Sequence, residues 1–257
     1  MVAATWQDFL AEIALWQKSG KLVEFWWRDD DAGQPSPELG RLLELASDKK
    51  VPLALAVIPE RAEKAAFSGI DAEISVMQHG SDHKNRADPP GRKTEFPESE
   101  PMEDALRRLA FGRRKLEDTA GELFVPVLAP PWNRLAPALI SRLPMAGYRG
   151  LSRFGVRKVT LPAGALTEIN THVDIIDWKG TRGFCGLERA LGQAVRHLAA
   201  RRSGTAEAGE PTGWLTHHAV HDEGCWKFLA DLFDKTRGLD GVTWRSSADL
   251  FGDRARN

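Results

Sequence analysis

The chain has 257 residues, 28% of them charged and 42% hydrophobic, with 35 basic against 36 acidic side chains and a formal net charge of −1. That length is ample for a sizeable core, and the balanced charge excludes the global basic field that draws nucleic acid or anionic membranes. No stretch is long and apolar enough to span a bilayer, and Cys185 and Cys225 form neither a metal-ligand pair nor a disulfide framework.

The opening MVAATWQDFLAEIALWQKSGK carries Asp8 and Glu12 inside its apolar pattern and lacks a basic start before an uninterrupted apolar run. It does not read as a signal peptide, so a cytoplasmic protein is expected. Trp6, Leu10, Ile13, Ala14 and Trp16 recur at helical spacing up to Gly20, which predicts a helix over 5–19. KLVEFWW predicts a strand, SPELGRLLELASDKK a helix opened by Ser36 with Pro37 at its first position, and VPLALAVIP a buried strand. AEISVMQHG reads as a short strand ending at His79 and Gly80. Residues 84–100 are polar and proline-rich, a long loop that is either a lid or an ordered rim. PMEDALRRLAFGRRKLEDTAG is a helix between Pro101 and Gly121, and LFVPVLAPP a strand. Helix 135–144, strand 147–151, strand 172–177, helix 186–202, strand 212–217, helix 223–236 and a short strand near Val242–Trp244 complete the series, with 203–211 a surface loop.

Strands alternating with helices imply a parallel sheet covered by helices, an α/β fold. About seven such units point to a single closed or nearly closed (β/α) barrel domain over 1–257, in which side chains at the C-terminal strand ends converge on one site. The chemistry-bearing residues fall at those ends: Asp29, Asp30 and Asp31; His79 and His83; Ala129 to Asn133; Asp174, Asp177 and Trp178; and His217, His218 and His221. Adjacent carboxylates repel one another unless a cation lies among them. Two histidines four residues apart, joined by a carboxylate from another strand, make a three-ligand metal site with open positions. The glutamate that follows the first histidine in the commoner zinc pattern is replaced by Gly80. A polar turn at 79–83 and a solvated acidic turn at 29–31 are the bland readings, and their occurrence together at neighbouring strand ends favours the metal.

The order and spacing of these segments resemble the polysaccharide deacetylase family (carbohydrate esterase family 4-like), metal-dependent enzymes that remove N- or O-acetyl groups from carbohydrate polymers. Its members fold as a distorted (β/α) barrel with fewer than eight strands. RDDDAG resembles the opening Asp-Asp motif when Asp30 and Asp31 are the pair. HGSDH matches His-[Ser/Thr]-x-x-His at both histidines, with Gly80 in place of the hydroxyl residue. LAPPWN keeps the prolines and aromatic of the third motif, with Ala129 where arginine is expected. Asp177-Trp178 matches an Asp-Trp pair, and Leu215-Thr216-His217 a Leu-x-His strand end.

The resemblance implies that Asp31, His79 and His83 hold a divalent metal, zinc or else Co2+, Mn2+ or Ni2+. It implies Asp30 as general base, His217 as general acid and Asp177 as the carboxylate that orients His217. Slippage by one residue would pass the roles to Asp29 and Asp30. A backbone N–H at Trp132 would serve the oxyanion, and Pro131, Trp132, Asn133 and Trp178 would border the substrate. Arg28 or Arg134 would replace the arginine missing at Ala129. His218 and His172 read as structural and His221 as surface. The nine tryptophans fill a core or line a sugar groove.

The expected function is thus a metal-dependent deacetylase acting on an acylated carbohydrate or related amide, with a small-molecule or oligosaccharide partner and neither nucleic acid nor membrane. A catalytically silent glycan or metabolite binder is the first alternative, favoured by Ala129 and Gly80. A non-haem iron enzyme, with the same two histidines and carboxylate, is the second.

Overall fold

The computed structural model describes residues 3–70, 73–157 and 166–252. Thr5 opens α1 (Trp6–Lys18) with a reciprocal capping box to Asp8, and the chain then enters β1 (Val23–Ala32). Ser36 caps α2 (Pro37–Lys49) by accepting from Leu39 N at 3.1 Å, ahead of β2 (Leu53–Val57) and β3 (Ile74–Gln78), both buried along their length. Next come α3 (Met102–Ala120), β4 (Phe124–Leu128), α4 (Pro137–Ile140), β5 (Gly150–Leu151), β6 (Thr167–Glu168) and β7 (Val173–Asp174). The series ends with α5 (Leu187–Ser203), β8 (Thr212–Thr216), α6 (Glu223–Thr236), β9 (Val242–Trp244) and α7 (Ser247–Phe251). Among the described residues, no helix is long and apolar enough to cross a membrane.

Among the described residues every pairing between these strands is parallel, in the order β6-β5-β4-β3-β2-β1-β8-β7, with β9 on the first half of β1. A single crooked segment brings the two sheet edges together. On the β5 side Ile169 N donates to Leu151 O at 3.1 Å and Thr171 N to Arg153 O at 3.0 Å. On the β8 side His172 N donates to Gly213 O at 2.7 Å and Ile175 N to Leu215 O at 3.3 Å. Counting β6 and β7 as this one segment, β1 to β5, β6/β7 and β8 form a ring of seven, the distorted (β/α) barrel expected from the alternation of elements.

Side-chain alternation along β1 divides two cores. Trp26 turns inward to Ala54, Ala56, Met77, Val127 and Ala129, and its indole donates to Asn170 O at 3.1 Å. Phe25 and Trp27 turn outward to the helices, where the Trp27 ring packs at a tilt against Phe233 of α6, 4.8 Å between centroids. Six of the nine tryptophans are buried, so core filling accounts for most of them; Trp132 and Trp178 are partly open.

Several local expectations differ from the structure. The strand predicted to end at Trp27 continues through the aspartates to Ala32. The helix expected over 135–144 shortens to Pro137–Ile140 followed by turns, because Pro144 lacks the N–H that would continue the ladder. The strand expected over 147–151 is confined to Gly150–Leu151, and that over 172–177 to Val173–Asp174 plus a bridge between Ile176 and Phe184. β6 and α7 were not foreseen: two strand residues and one helical turn carry too short a pattern to register.

Candidate active site

A regular strand would aim Asp30 and Asp31 to opposite faces. β1 avoids this with a bulge: Asp29 pairs with Leu55 and Ala32 with Val57, so three steps on β1 match two on β2. Asp31 takes the extra place with φ +70°, which turns its carboxylate toward the end of β3. Asp31 Oδ1 lies 3.3 Å from His79 Nε2 and 3.2 Å from His83 Nε2. Those separations are short, yet Oδ1 is buried and makes no hydrogen bond. An acceptor facing two imidazole nitrogens without a shared hydrogen is the arrangement a cation completes.

Tautomers test that reading. His79 Nδ1 lies 2.8 Å from the carbonyl oxygen of Ala129, which can only accept. Nδ1 therefore carries the proton, and Nε2 presents its lone pair to Asp31 Oδ1 and the space between. Among the described residues one other group has ligand atoms equally close: His172, His197 and Glu210. There His172 Nδ1 accepts from Gly213 N–H at 3.1 Å, so the proton sits on Nε2, the atom facing Glu210 Oε2 at 3.6 Å. A protonated nitrogen is no ligand. The first group fits a divalent metal and the second does not.

Charge agrees. Burial pushes the Asp31 carboxyl up, but His79, His217 and His83 outweigh it and hold it well below the usual carboxylate range. Burial lowers the His79 pKa, while Asp30 and Asp31 raise it further than burial lowers it, so the pocket favours added positive charge. His83 is pushed down, first by burial and then by His79, and is neutral as a ligand must be.

Asp30 is buried and gripped at both oxygens by Arg28, Nε to Oδ1 at 2.8 Å and Nη2 to Oδ2 at 3.0 Å. Arg28 is itself fully buried and spans the barrel, donating from Nη1 to Ser152 O (3.0 Å) and Oγ (2.7 Å) and from Nη2 to Asn133 Oδ1 (3.1 Å). The guanidinium missing at Ala129 is thus supplied from β1. Arg134 reaches Lys93 O instead. Asp29, on the opposite face, accepts from Thr216 Oγ1 at 2.6 Å and His218 N at 2.9 Å, and pairs with His218 Nδ1. The slipped register, with Asp29 and Asp30 sharing the roles, is not the one observed.

Because Asp29 pairs with Thr216 across β1 and β8, the residue that follows β8, His217, arrives beside Asp30, with Nε2 4.0 Å from Asp30 Oδ2. The contact expected between Asp177 and His217 is not formed: Asp177 Oδ1 accepts from Arg189 Nη1 at 3.0 Å. Asp174, three residues earlier, is the carboxylate on this side. Burial raises its pKa, and His217 is the strongest influence pulling it back. The Trp178 indole donates to Asp174 Oδ2 at 2.8 Å and meets the His217 ring edge-on at 4.7 Å.

Trp132 lies 4.5 Å from the His83 ring. Pro131 is buried under the Gly80 turn rather than open to a substrate, and the Asn133 carbonyl oxygen is engaged by Arg28. His221 is partly buried against Trp226 at 4.5 Å rather than free on the surface. Among the described residues six non-glycine residues have positive φ, and four of them, Asp31, His83, Trp132 and Asn133, belong to this one site. Each costs of order 1–3 kcal/mol, and such strain gathers where geometry serves function.

One residue invisible to sequence reasoning organises the histidine turn. Glu95, from the 84–100 loop, is fully buried and accepts from the backbone N–H groups of Ser81 (2.8 Å), Asp82 (3.2 Å) and His83 (3.2 Å). Its partners are main-chain atoms, which no side-chain pattern announces.

No protein-family model matches the chain, and neither does any curated protein. Solved structures do. A T48 deacetylase determined with substrate is 19% identical, with 91% of this chain and 92% of that one covered at a TM-score of 0.55. A family 4 acetyl xylan esterase from Clostridium thermocellum, in complex with a cobalt ion, is 14% identical over 89% and 90%, at 0.52. A family 4 carbohydrate esterase from Bacillus anthracis is 15% identical over 97% and 93%, at 0.52. The chain has the fold of polysaccharide deacetylases and family 4 carbohydrate esterases.

Proposed function

We propose that the chain is a metal-dependent deacylase that hydrolyses an N- or O-acyl group on a carbohydrate or related amide, its active site built on one barrel domain. The observation that carries this reading is the convergence of Asp31, His79 and His83 beside the Arg28-held Asp30 and His217. Asp31 and the two histidines would hold the ion. A divalent cation there, zinc or a similar metal, supplies Lewis acidity toward the acyl carbonyl and lowers the pKa of water at the site.

The chain's own groups divide the proton work. Asp30 is the general base: Arg28 fixes the plane of the carboxylate, and each oxygen keeps a lone pair free of the guanidinium. His217 faces the same space and donates a proton to the departing amine or alkoxide. Asp174, tied to the Trp178 indole, is the carboxylate on the His217 side of the site. Trp132 and Trp178 form partly open apolar walls suited to a sugar ring. The backbone N–H of Trp132, in a left-handed turn beside His83, is the proposed oxyanion donor.

The silent-binder alternative rested on Ala129 and Gly80, and the Arg28–Asp30 pair weakens the first of these supports. The iron alternative belongs to β-sandwich frameworks, unlike this parallel sheet. Release of acetate from acetylated sugars and amides by the metal-loaded protein tests the reading. Acetate release abolished by Asp30→Asn supports it, and saturable ligand binding without any release overturns it.

A further inference from the structure

We infer that Glu95 is the positioning residue that holds the His79–His83 turn in the conformation presenting both imidazoles, an inference that rests on Asp31, His79 and His83 being the metal ligands. Three successive backbone N–H groups, those of Ser81, Asp82 and His83, converge on its carboxylate, and the Ser81 hydroxyl adds a fourth donor. Successive N–H groups aimed at one anion form a concavity that loses its organising centre when the anion is removed. The last of these residues is itself a ligand, so the hydrogen bond from His83 N to Glu95 Oε2 links the carboxylate directly to ligand placement.

Gly80 shows that the turn is built around Glu95. A Cβ at position 80 would lie 2.0 Å from Glu95 Oε2 and 2.7 Å from Pro131 Cγ, and the residue has φ +64°. No side chain fits while the carboxylate is in place. The missing side chain at position 80 and the buried glutamate from a distant loop are therefore complementary features of one turn.

Glu95 is in turn held from outside the turn. Arg108 donates to its carbonyl oxygen at 3.3 Å, and Phe96, buried beside it, accepts from Ala136 N through its own carbonyl at 2.9 Å. Arg86 Nη1 stands 3.9 Å from Glu95 Oε1 and supplies compensating charge. The 84–100 segment, an open choice between lid and rim on sequence, acts in this account as a fixed buttress.

The test is cobalt(II) titration of the full chain, followed by visible absorption, for the parent, Glu95→Gln, Thr94→Val and Ser81→Ala. Gln keeps the size but turns an N–H2 toward backbone donors. Thr94 caps Phe96 N in the same segment without touching the turn. Loss of an outer partner of a metal ligand weakens affinity about 10- to 100-fold. Glu95→Gln is expected to weaken cobalt binding by that range and shift the absorption bands while retaining a cooperative thermal transition, with Thr94→Val within about two-fold of the parent. Should Glu95→Gln fail to fold, Ser81→Ala, which removes a single donor, is expected to weaken binding about two- to five-fold. Parent-like cobalt affinity and spectrum in the folded glutamate variant, or in Ser81→Ala where that variant does not fold, would overturn the inference with the metal reading intact. A parent that binds no cobalt would overturn both.

Discussion

Arg28 and Asp30 stand two residues apart on one strand, face the same side of it, and pair through two of the three guanidinium nitrogens and both carboxylate oxygens inside the barrel. Strand periodicity makes this possible without any partner strand, since i and i+2 share a face. The charge that steadies Asp30 thus comes from its own strand, and Ala129 is small and buried among Trp26, Ala54 and Met77.

Removing that arginine leaves a buried, unpaired carboxylate. Arg28→Ala is expected to destabilise the fold by about 3–5 kcal/mol, read as a shift in the urea midpoint. Arg28→Lys keeps the charge but not the fork, and should fold while lowering kcat/KM by about 10- to 100-fold.

The two carboxylates of DIIDW have unequal roles. Asp174→Asn should lower kcat about 10²-fold or more, the scale of a general acid–base contribution. Asp177→Asn, which breaks a half-exposed pair with Arg189, should stay within about three-fold. Equal losses in steady-state assays would reverse this assignment.

Acid stability should depend on the second histidine pair. Burial pushes His172 down to about 3 and His197 down to about 2, against an ordinary value of 6.5. Below pH 6.5 the unfolded chain binds protons that the folded chain refuses, so stability is complete above 6.5 and declines as pH falls toward 3. The slope is up to about 1.4 kcal/mol per pH unit for each histidine. His197→Asn should show a shallower decline between pH 6 and pH 4 in urea unfolding than the parent.

Gly80→Ala meets both the Glu95 carboxylate and a left-handed backbone. A non-glycine residue there costs about 1–2 kcal/mol from the backbone alone, and the collision adds to it. A midpoint shift in thermal unfolding larger than that of an exposed Gly209→Ala control is the expected result.

The barrel was legible because strand and helix patterns alternate along the chain, which announced the parallel sheet; the 14-residue helix Glu223–Thr236 falls at its predicted bounds and the short strand Val242–Trp244 where one was expected. Asp31 and the histidines were legible as residue types. The bulge that aims Asp31 was not, since a bulge depends on register with β2 rather than on the β1 sequence. The Asp-Trp pattern marks Asp177 by adjacency, whereas the Trp178 indole reaches four residues back, to Asp174. Glu95 lay in a polar loop whose purpose is visible only once main-chain donors are placed around it.

The most direct test is metal content by elemental analysis for the parent, His79→Ala and His197→Ala after incubation with zinc, cobalt and manganese. About one equivalent is expected in the parent, none in His79→Ala, and about one in His197→Ala, since of the two clusters among the described residues the first alone fits a metal. A parent that holds no metal, or one whose metal is lost with His197 and kept without His79, would contradict this assignment.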